Sequence, residues 1–93
     1  MIKSFRDKYA QAVFERRNVS GWSEAFQRAA LRKLLMLDAA HDLRDLQVPP
    51  GNALEKLLGD RAGQHSIRVN RQWRICFRWR DGDAWDVEIV DYH

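Results

Sequence analysis

Apolar and polar residues alternate through the last third of the chain, in three segments separated by turn-forming residues. The segments cover residues 64–70, 73–80 and 84–92. A period of two is typical of a strand with one buried face, so the pattern predicts a three-stranded antiparallel meander. The predicted buried face consists of Ile67, Val69, Trp73, Ile75, Phe77, Trp79, Trp85, Val87 and Ile89.

The opposite face of the predicted sheet is cationic. It carries Arg68, Arg74, Arg78 and Arg80, and it ends at Tyr92 with His93 beside it. Residues that pair directly must share a face, so a three-residue loop at 70–72 places Arg68 opposite Arg74. Like charges across a ladder are unfavourable, and we expect this pair to lack a direct counter-ion. A bound phosphate would relieve the repulsion. An ordinary solvated face, with Glu88 as a diagonal partner, is the open alternative.

The same parity argument predicts the second hairpin. A three-residue loop at Asp81, Gly82 and Asp83 pairs Trp79 with Trp85 and brings Asp86 opposite Arg78.

The first half of the chain has helical periodicity. Residues 8–16 predict a short helix with Tyr9 and Val13 on its inner side, and Ser23 is the predicted N-cap of a longer helix that ends near residue 40. Its apolar stripe contains Phe26, Ala30, Leu34 and Leu37. Residues 2–5 alternate briefly and predict an edge strand. The sequence therefore predicts one α+β domain over residues 1–93, with two N-terminal helices packed on one face of a small antiparallel sheet.

Two loops separate the helices from the meander. Pro49 and Pro50 exclude a continuing helix over residues 48–52. We expect Leu54, Leu57 and Leu58 to cap an edge of the core. The glycine-bounded turn at 59–63 lacks the pattern of a phosphate-binding loop, so we interpret it mainly as structural.

Composition limits the function classes. The chain has 93 residues and a net charge of +3, which indicates an anionic partner without establishing nucleic acid. The one cysteine, Cys76, excludes an intrachain disulfide and fits a reducing cytosol. The His and Cys spacing matches no metal-site motif, so we expect no metal. We also expect no cofactor, signal peptide or membrane span.

The last three residues suit proton transfer. The imidazole of His93 gives or takes a proton near neutral pH, Tyr92 offers a hydroxyl, and Asp91 can orient or assist. Neighbouring arginines would stabilise charge on a phosphate and lower the pKa of the phenol. An ordinary C-terminal tail is the alternative.

Several segments of the sequence, including those described above, resemble one known protein family. The run GDRAGQHSIRVN at 59–70, the run WRICF at 73–77, DGDA at 81–84 and the terminal DYH resemble the HigB-type toxins of the RelE/ParE superfamily. The opening MIKSF and the VPPGN loop at 48–52 resemble one branch of that group. The resemblance covers essentially the whole chain.

The resemblance implies a RelE/ParE-like fold and the toxin of a bacterial type II toxin–antitoxin pair. It implies a cytoplasmic, metal-independent endoribonuclease that cleaves mRNA in the ribosomal A site and so inhibits translation. The implied partners are a helix-turn-helix, HigA-like antitoxin, the ribosome and mRNA, without a membrane.

Residue roles carry over position by position. Arg74, Asp91, Tyr92 and His93 match catalytic positions of the family. Where some members have a His and a Lys before the Gly-Asp-Arg turn, this chain has Glu55 and Leu58, so Glu55 becomes the candidate for the second acid–base group. Lys56 is close by but out of register. The expected RNA- and phosphate-binding set is Arg68, Arg74, Arg78 and Lys56.

Two other functions remain open. One is a gyrase-directed, ParE-like toxin, since one fold hosts several functions. The other is a non-catalytic RNA-binding module.

Overall fold

A computed structural model describes residues 1–92 as two helices and a four-stranded antiparallel sheet. The helices are α1 (Lys8–Phe14) and α2 (Glu24–Ala39). The strands are β1 (Glu55–Lys56), β2 (His65–Arg68), β3 (Trp73–Arg80) and β4 (Asp83–Asp91), in that order across the sheet. Short 3-10 turns occupy Leu43–Gln47, Pro50–Asn52 and Gly59–Arg61. The expected α+β class is confirmed, and β1 is an additional strand that the periodicity did not predict.

Both helices begin at side-chain caps. The Asp7 carboxylate accepts from the Tyr9 N–H at 2.8 Å, and the Ser23 hydroxyl accepts from the Phe26 N–H at 3.1 Å. Such caps satisfy N–H groups that have no partner within the helix. The predicted cap at Ser23 is confirmed.

The core lies between α2 and one face of the sheet. Ala30, Leu34 and Leu37 of the predicted stripe are fully buried. The largest side chains buried with them are Phe77, Leu46, Ile67, Ile75 and Val87. Burial of one such side chain stabilises a fold by about 1.5–3 kcal/mol.

Two side chains expected in the core are exposed. Tyr9 is 47% exposed, because the buried side of α1 consists of Ala10, Ala12 and Val13. Leu58 is 81% exposed, because the chain turns at residues 59–61 before its side chain can reach the core.

The N-terminal segment borders β4. Ile2 and Phe5 form parallel bridges with Ala84 and Val87, as the expected edge strand would. The Ile2 N–H also donates to the Asp38 carboxylate of α2 at 2.8 Å. The segment therefore ties the outer edge of the sheet to the long helix.

The first hairpin has the predicted register. Ile67 pairs with Ile75 and Arg68 pairs with Arg74. The Asn70 side chain holds the loop, since its oxygen accepts from the N–H groups of Gln72 (2.9 Å) and Trp73 (2.8 Å).

The second hairpin differs from the prediction. Arg80 pairs with Asp83 across a two-residue turn, in which Asp81 and Gly82 have φ values of 54° and 78°. Positive φ at both positions is the geometry that an Asp-Gly turn favours. A β-bulge at Asp86 (φ 53°) adds one residue to β4. Beyond the bulge, the residues of β4 as far as Ile89 therefore face the predicted sides of the sheet.

The two-residue turn also moves Trp85 to the other face. Trp85 pairs with Arg78 instead of Trp79, and its ring stacks against the Arg80 guanidinium at 4.4 Å. The expected apolar position of Trp85 is therefore wrong, and Ala84 is the buried residue in its place.

No helix within residues 1–92 has the length and apolar character needed to cross a membrane.

Candidate active site

The sheet face directed away from the core carries a cross-strand row of four residues, one from each strand. Glu55 pairs with Ser66, Ser66 with Cys76, and Cys76 with Glu88. Strand alternation places these side chains opposite the buried Ile67 and Ile75. The next row on this face contains Arg68 and Arg74. We refer to this surface as the polar face.

Arg74 lies at the centre of the polar face and is fixed by several contacts. Its Nε donates to the Ser66 hydroxyl at 2.8 Å, and its Nη2 donates to the Ala53 carbonyl. Its Nη1 lies 3.9 Å from the Glu55 carboxylate, and only 12% of its side chain is exposed. The guanidinium carbon is 5.9 Å from the centre of the Tyr92 ring. Some of its five N–H groups remain available, so Arg74 is a preorganised anion-binding group.

The position of Glu55 contradicts the expectation that the Arg68–Arg74 pair lacks a direct counter-ion. Arg74 does have a direct counter-ion, because β1 brings the Glu55 carboxylate across Ser66. Since 56% of the Glu55 side chain is exposed, the pair contributes little to stability. Its carboxylate is therefore accessible and close to the guanidinium.

The other predicted cations lie away from this centre. The Nε of Arg68 donates to the Asn70 carbonyl at 3.0 Å, which directs that guanidinium towards the β2–β3 loop. Arg78 forms the expected ion pair with Asp86 at 3.7 Å, although Trp85 and not Asp86 is its direct cross-strand partner. Lys56 pairs with His65 and points to the opposite side of β1 from Glu55.

Tyr92 contributes a neutral hydroxyl. Burial raises the pKa of the Tyr92 phenol, and the neighbouring Cys76 raises it further. Arg61 and Arg74 act in the opposite direction without overcoming these effects. The expectation that arginines lower this pKa overall is therefore wrong, and the phenol is a proton donor at neutral pH.

Cys76 is buried on the same face. Burial raises the pKa of its thiol, so the group is protonated at neutral pH and is a poor nucleophile.

Asp91 lies at the end of β4, directly opposite Trp73. Gln72 donates to its carboxylate at 2.9 Å, which connects Asp91 to the β2–β3 loop. The Tyr92 N–H donates to the Gln72 carbonyl at 2.7 Å and fixes the next residue. His93 lies outside the described residues.

Sequence reasoning missed the pair Arg61 and Glu88. The Nη1 of Arg61 lies 3.4 Å from the Glu88 carboxylate and donates to the Gln64 side chain at 3.1 Å. Arg6 lies 3.6 Å from the same Glu88 oxygen. The alternation of β4 did place Glu88 on this face, as a diagonal partner of the arginines, whereas nothing in the glycine-bounded turn indicates where Arg61 points.

The described part of the chain contains no group of three His, Cys, Asp or Glu side chains that could hold a metal ion. The polar face instead combines a guanidinium, a neutral phenol and an exposed carboxylate. Together these groups can bind a phosphate and exchange protons with its substituents.

Comparison with known proteins gives matches over nearly the whole chain. Residues 3–93 match the family model described as the RelE-like toxin of the type II toxin–antitoxin system HigB. Toxin HigB-1 of Vibrio cholerae serotype O1 is 41% identical over 87 residues, which cover 90% of each chain. Endoribonuclease HigB of Proteus vulgaris is 36% identical over 93 residues, the full length of both. An uncharacterised protein of Haemophilus influenzae is 31% identical over 81 residues, 86% of this chain and 80% of its own.

Proposed function

The chain belongs to the family of RelE-like toxins of HigB type II toxin–antitoxin systems, and we propose that it acts as a metal-independent endoribonuclease on mRNA bound to the ribosome. The name of the Proteus vulgaris relative, which matches over its full length, supports the nuclease activity. The observation that carries the proposal is Arg74, whose guanidinium is held beside Glu55 and Tyr92 on the polar face.

The proposed reaction is attack of a ribose 2′-hydroxyl on the adjacent phosphate. This step forms a 2′,3′-cyclic phosphate and releases the 5′-hydroxyl of the next nucleotide. Arg74 would bind the non-bridging oxygens, where negative charge increases in the transition state, and Arg68 would add positive charge from the side of the β2–β3 loop. These groups act by placing and stabilising the phosphate, and the reaction still needs a base and an acid.

Proton transfer is assigned to Glu55, Tyr92 and His93. Glu55 is a carboxylate that can take the 2′-hydroxyl proton, and the neutral Tyr92 phenol can donate to an oxygen of the phosphate or leaving group. His93 is proposed as the second acid–base group because imidazole titrates near neutral pH. Asp91 would assist from the end of β4.

The proposed setting follows from the family. A type II toxin has an antitoxin, and we propose a helix-turn-helix, HigA-like protein for that partner. The ribosome and mRNA are the proposed targets, the cytoplasm is the proposed location, and residues 1–93 are proposed to act as one domain.

The first test maps mRNA 5′ ends on translating ribosomes. Wild-type protein should produce new ends, and Arg74→Ala should reduce the rate by roughly 10²–10³, the scale for one lost donor to developing charge. Arg74→Lys should not fully restore it, because lysine lacks the planar fork.

Free mRNA serves as the substrate control. The ribosome holds the message in a defined geometry, so cleavage of free mRNA should be much slower. Equal rates on both substrates would contradict ribosome dependence. Intact mRNA together with inhibited DNA supercoiling would favour the gyrase-directed alternative, and RNA binding without cleaved ends would favour the non-catalytic one.

The second test concerns His93. His93→Gln should lower single-turnover cleavage on ribosomes by roughly 10²–10⁴, the usual effect of losing a general acid or base. The folded fraction and the affinity for the antitoxin should stay close to wild type. A folded His93→Gln protein that cleaves at the wild-type rate would remove His93 from the mechanism and leave proton transfer to Glu55 and Tyr92.

A further inference from the structure

Arg61 approaches the polar face from the turn between β1 and β2. Its Nη1 reaches both the Gln64 side chain (3.1 Å) and the Glu88 carboxylate (3.4 Å). Glu88 is the direct cross-strand neighbour of Cys76, and on the other side of Cys76 lies Ser66, which Arg74 contacts. A second guanidinium therefore contacts this row on the opposite side of Cys76 from Arg74.

The contact between Arg61 and Glu88 is loose. Charge-assisted hydrogen bonds between nitrogen and oxygen are about 2.7–2.9 Å long, and this one is 3.4 Å. It uses a single carboxylate oxygen, which Arg6 also approaches at 3.6 Å. Within residues 1–92 the Nε and Nη2 of Arg61 have no hydrogen-bond partner, and 32% of the side chain is exposed. Arg61 thus retains donors that its structural contacts do not use.

Glu88 can release Arg61 without being left as an isolated charge. Its side chain is only 15% exposed, and an unpaired carboxylate at such a site would be costly. Arg6 remains beside the same oxygen when Arg61 turns away, so the carboxylate keeps a cation. Two cations for one carboxylate leave this side of the polar face with an excess positive charge.

From this geometry we infer that Arg61 is a second phosphate-binding residue, which exchanges Glu88 for a phosphate oxygen of the RNA substrate. The inference rests on the proposed nuclease function and deepens it. Arg74 and Arg61 then approach the substrate phosphate from the two sides of Cys76. A guanidinium suits this role because its planar fork matches phosphate oxygens. Charge on the phosphate grows during attack, so a second guanidinium stabilises the transition state more than the bound substrate.

The test separates this role from simple neutralisation of Glu88. Four proteins are compared with wild type: Arg61→Ala, Glu88→Gln, the double variant, and Arg44→Ala as a control for loss of one surface arginine. Within residues 1–92 the Arg44 side chain forms its ion pair with Asp42, the N-cap of the turn Leu43–Gln47, far from the polar face in sequence. The measurements are the melting temperature and the single-turnover rate on saturating translating ribosomes, normalised to folded protein.

Arg61→Ala should reduce the normalised rate roughly 10²-fold, the scale of one lost donor to the developing charge. Glu88→Gln should cleave at the wild-type rate or faster, because Arg61 is freed. The double variant should recover any stability that Arg61→Ala loses and remain as slow as Arg61→Ala. Arg61→Lys should recover part of the rate, and Arg44→Ala should leave it unchanged.

Two results would overturn the inference. One is a double variant that cleaves like wild type, since Arg61 would then only neutralise Glu88. The other is a Glu88→Gln protein as slow as Arg61→Ala, since Arg61 would then not be an exchangeable cation. Wild-type protein that cleaves no mRNA at all would instead contradict the proposed function, so the two failures are distinguishable.

Discussion

Two arginines that face each other across the first hairpin have different surroundings. Arg74 is almost entirely covered and contacts Ser66, Ala53 and Glu55. Arg68 is exposed, and its Nε donates to the carbonyl of Asn70. A fixed guanidinium loses little entropy when it binds a ligand, whereas a mobile one must first be ordered. Arg74 is therefore the better candidate for a preorganised phosphate site.

This difference gives a prediction for Arg68→Ala. Removing the charge relieves repulsion across the ladder, so the melting temperature should stay unchanged or rise slightly. Arg74→Ala should lower it, because the variant leaves the Ser66 hydroxyl and the Ala53 carbonyl without their donor. Thermal melts of the two variants test this directly. A clear destabilisation by Arg68→Ala would show that its bond to Asn70 outweighs the repulsion.

Single residues of the site were predictable to different degrees. Strand parity predicted that Arg68 faces Arg74, and parity needs only a periodic sequence and a loop length. The contacts of Arg74 with Ala53 and Glu55 could not be inferred, because β1 has two residues and so no detectable period. The pKa of Tyr92 was predicted in the wrong direction, since nothing in the sequence shows that the phenol is partly removed from water beside Cys76.

At the scale of elements, the second hairpin shows how a turn and a bulge act together. The two-residue turn at Asp81 and Gly82 shifts the register by one residue relative to a three-residue loop. The bulge at Asp86 compensates, so that Val87 and Ile89 still face the core. The alternation predicted which residues of β4 beyond the bulge are buried, and it could not show where the extra residue is placed.

Gly82 makes this turn testable. Its φ of 78° is costly for a residue with a side chain, although an added Cβ would lie 3.7 Å from its nearest neighbour and would not clash. Gly82→Ala should therefore lower the free energy of unfolding by about 1–2 kcal/mol through backbone strain alone. The matched variant Gly51→Ala adds a Cβ in open space without a positive φ and should change stability little. Denaturant unfolding measures both, and equal stabilities would contradict the strain argument.

At the scale of the whole molecule, one face of the sheet forms the core and the other carries the candidate active site. The helices cover one face, and the polar face carries Arg74, Tyr92 and the two carboxylates Glu55 and Glu88. The resemblance to HigB-type toxins, which extends over the chain, is confirmed by the family match at residues 3–93. Long periodic elements such as α2 and β3 made the fold predictable, whereas the site depends on short segments that have no period.

His65 links the stability of the whole domain to pH. Its ring stacks on Phe77 at 6.1 Å, and its Nδ1 is buried without a hydrogen-bond partner in the described structure. Burial lowers the pKa of the His65 imidazole, and the nearby charge of Lys56 lowers it further. Below the unfolded-state pKa of about 6.5, the unfolded chain therefore binds more protons at this site than the folded protein. Stability should be lost as the pH falls below that value and be fully present above it.

The variant His65→Phe tests this link. It keeps the ring against Phe77 and removes the titrating group, so the fall in melting temperature between pH 7 and pH 5 should be smaller than in wild type. At pH 8 the variant should be at least as stable, because it no longer buries an unpartnered nitrogen. His41→Gln removes an exposed imidazole and controls for the loss of one histidine. If the melting temperature of His65→Phe depended on pH as in wild type, other groups would cause the loss of stability at low pH.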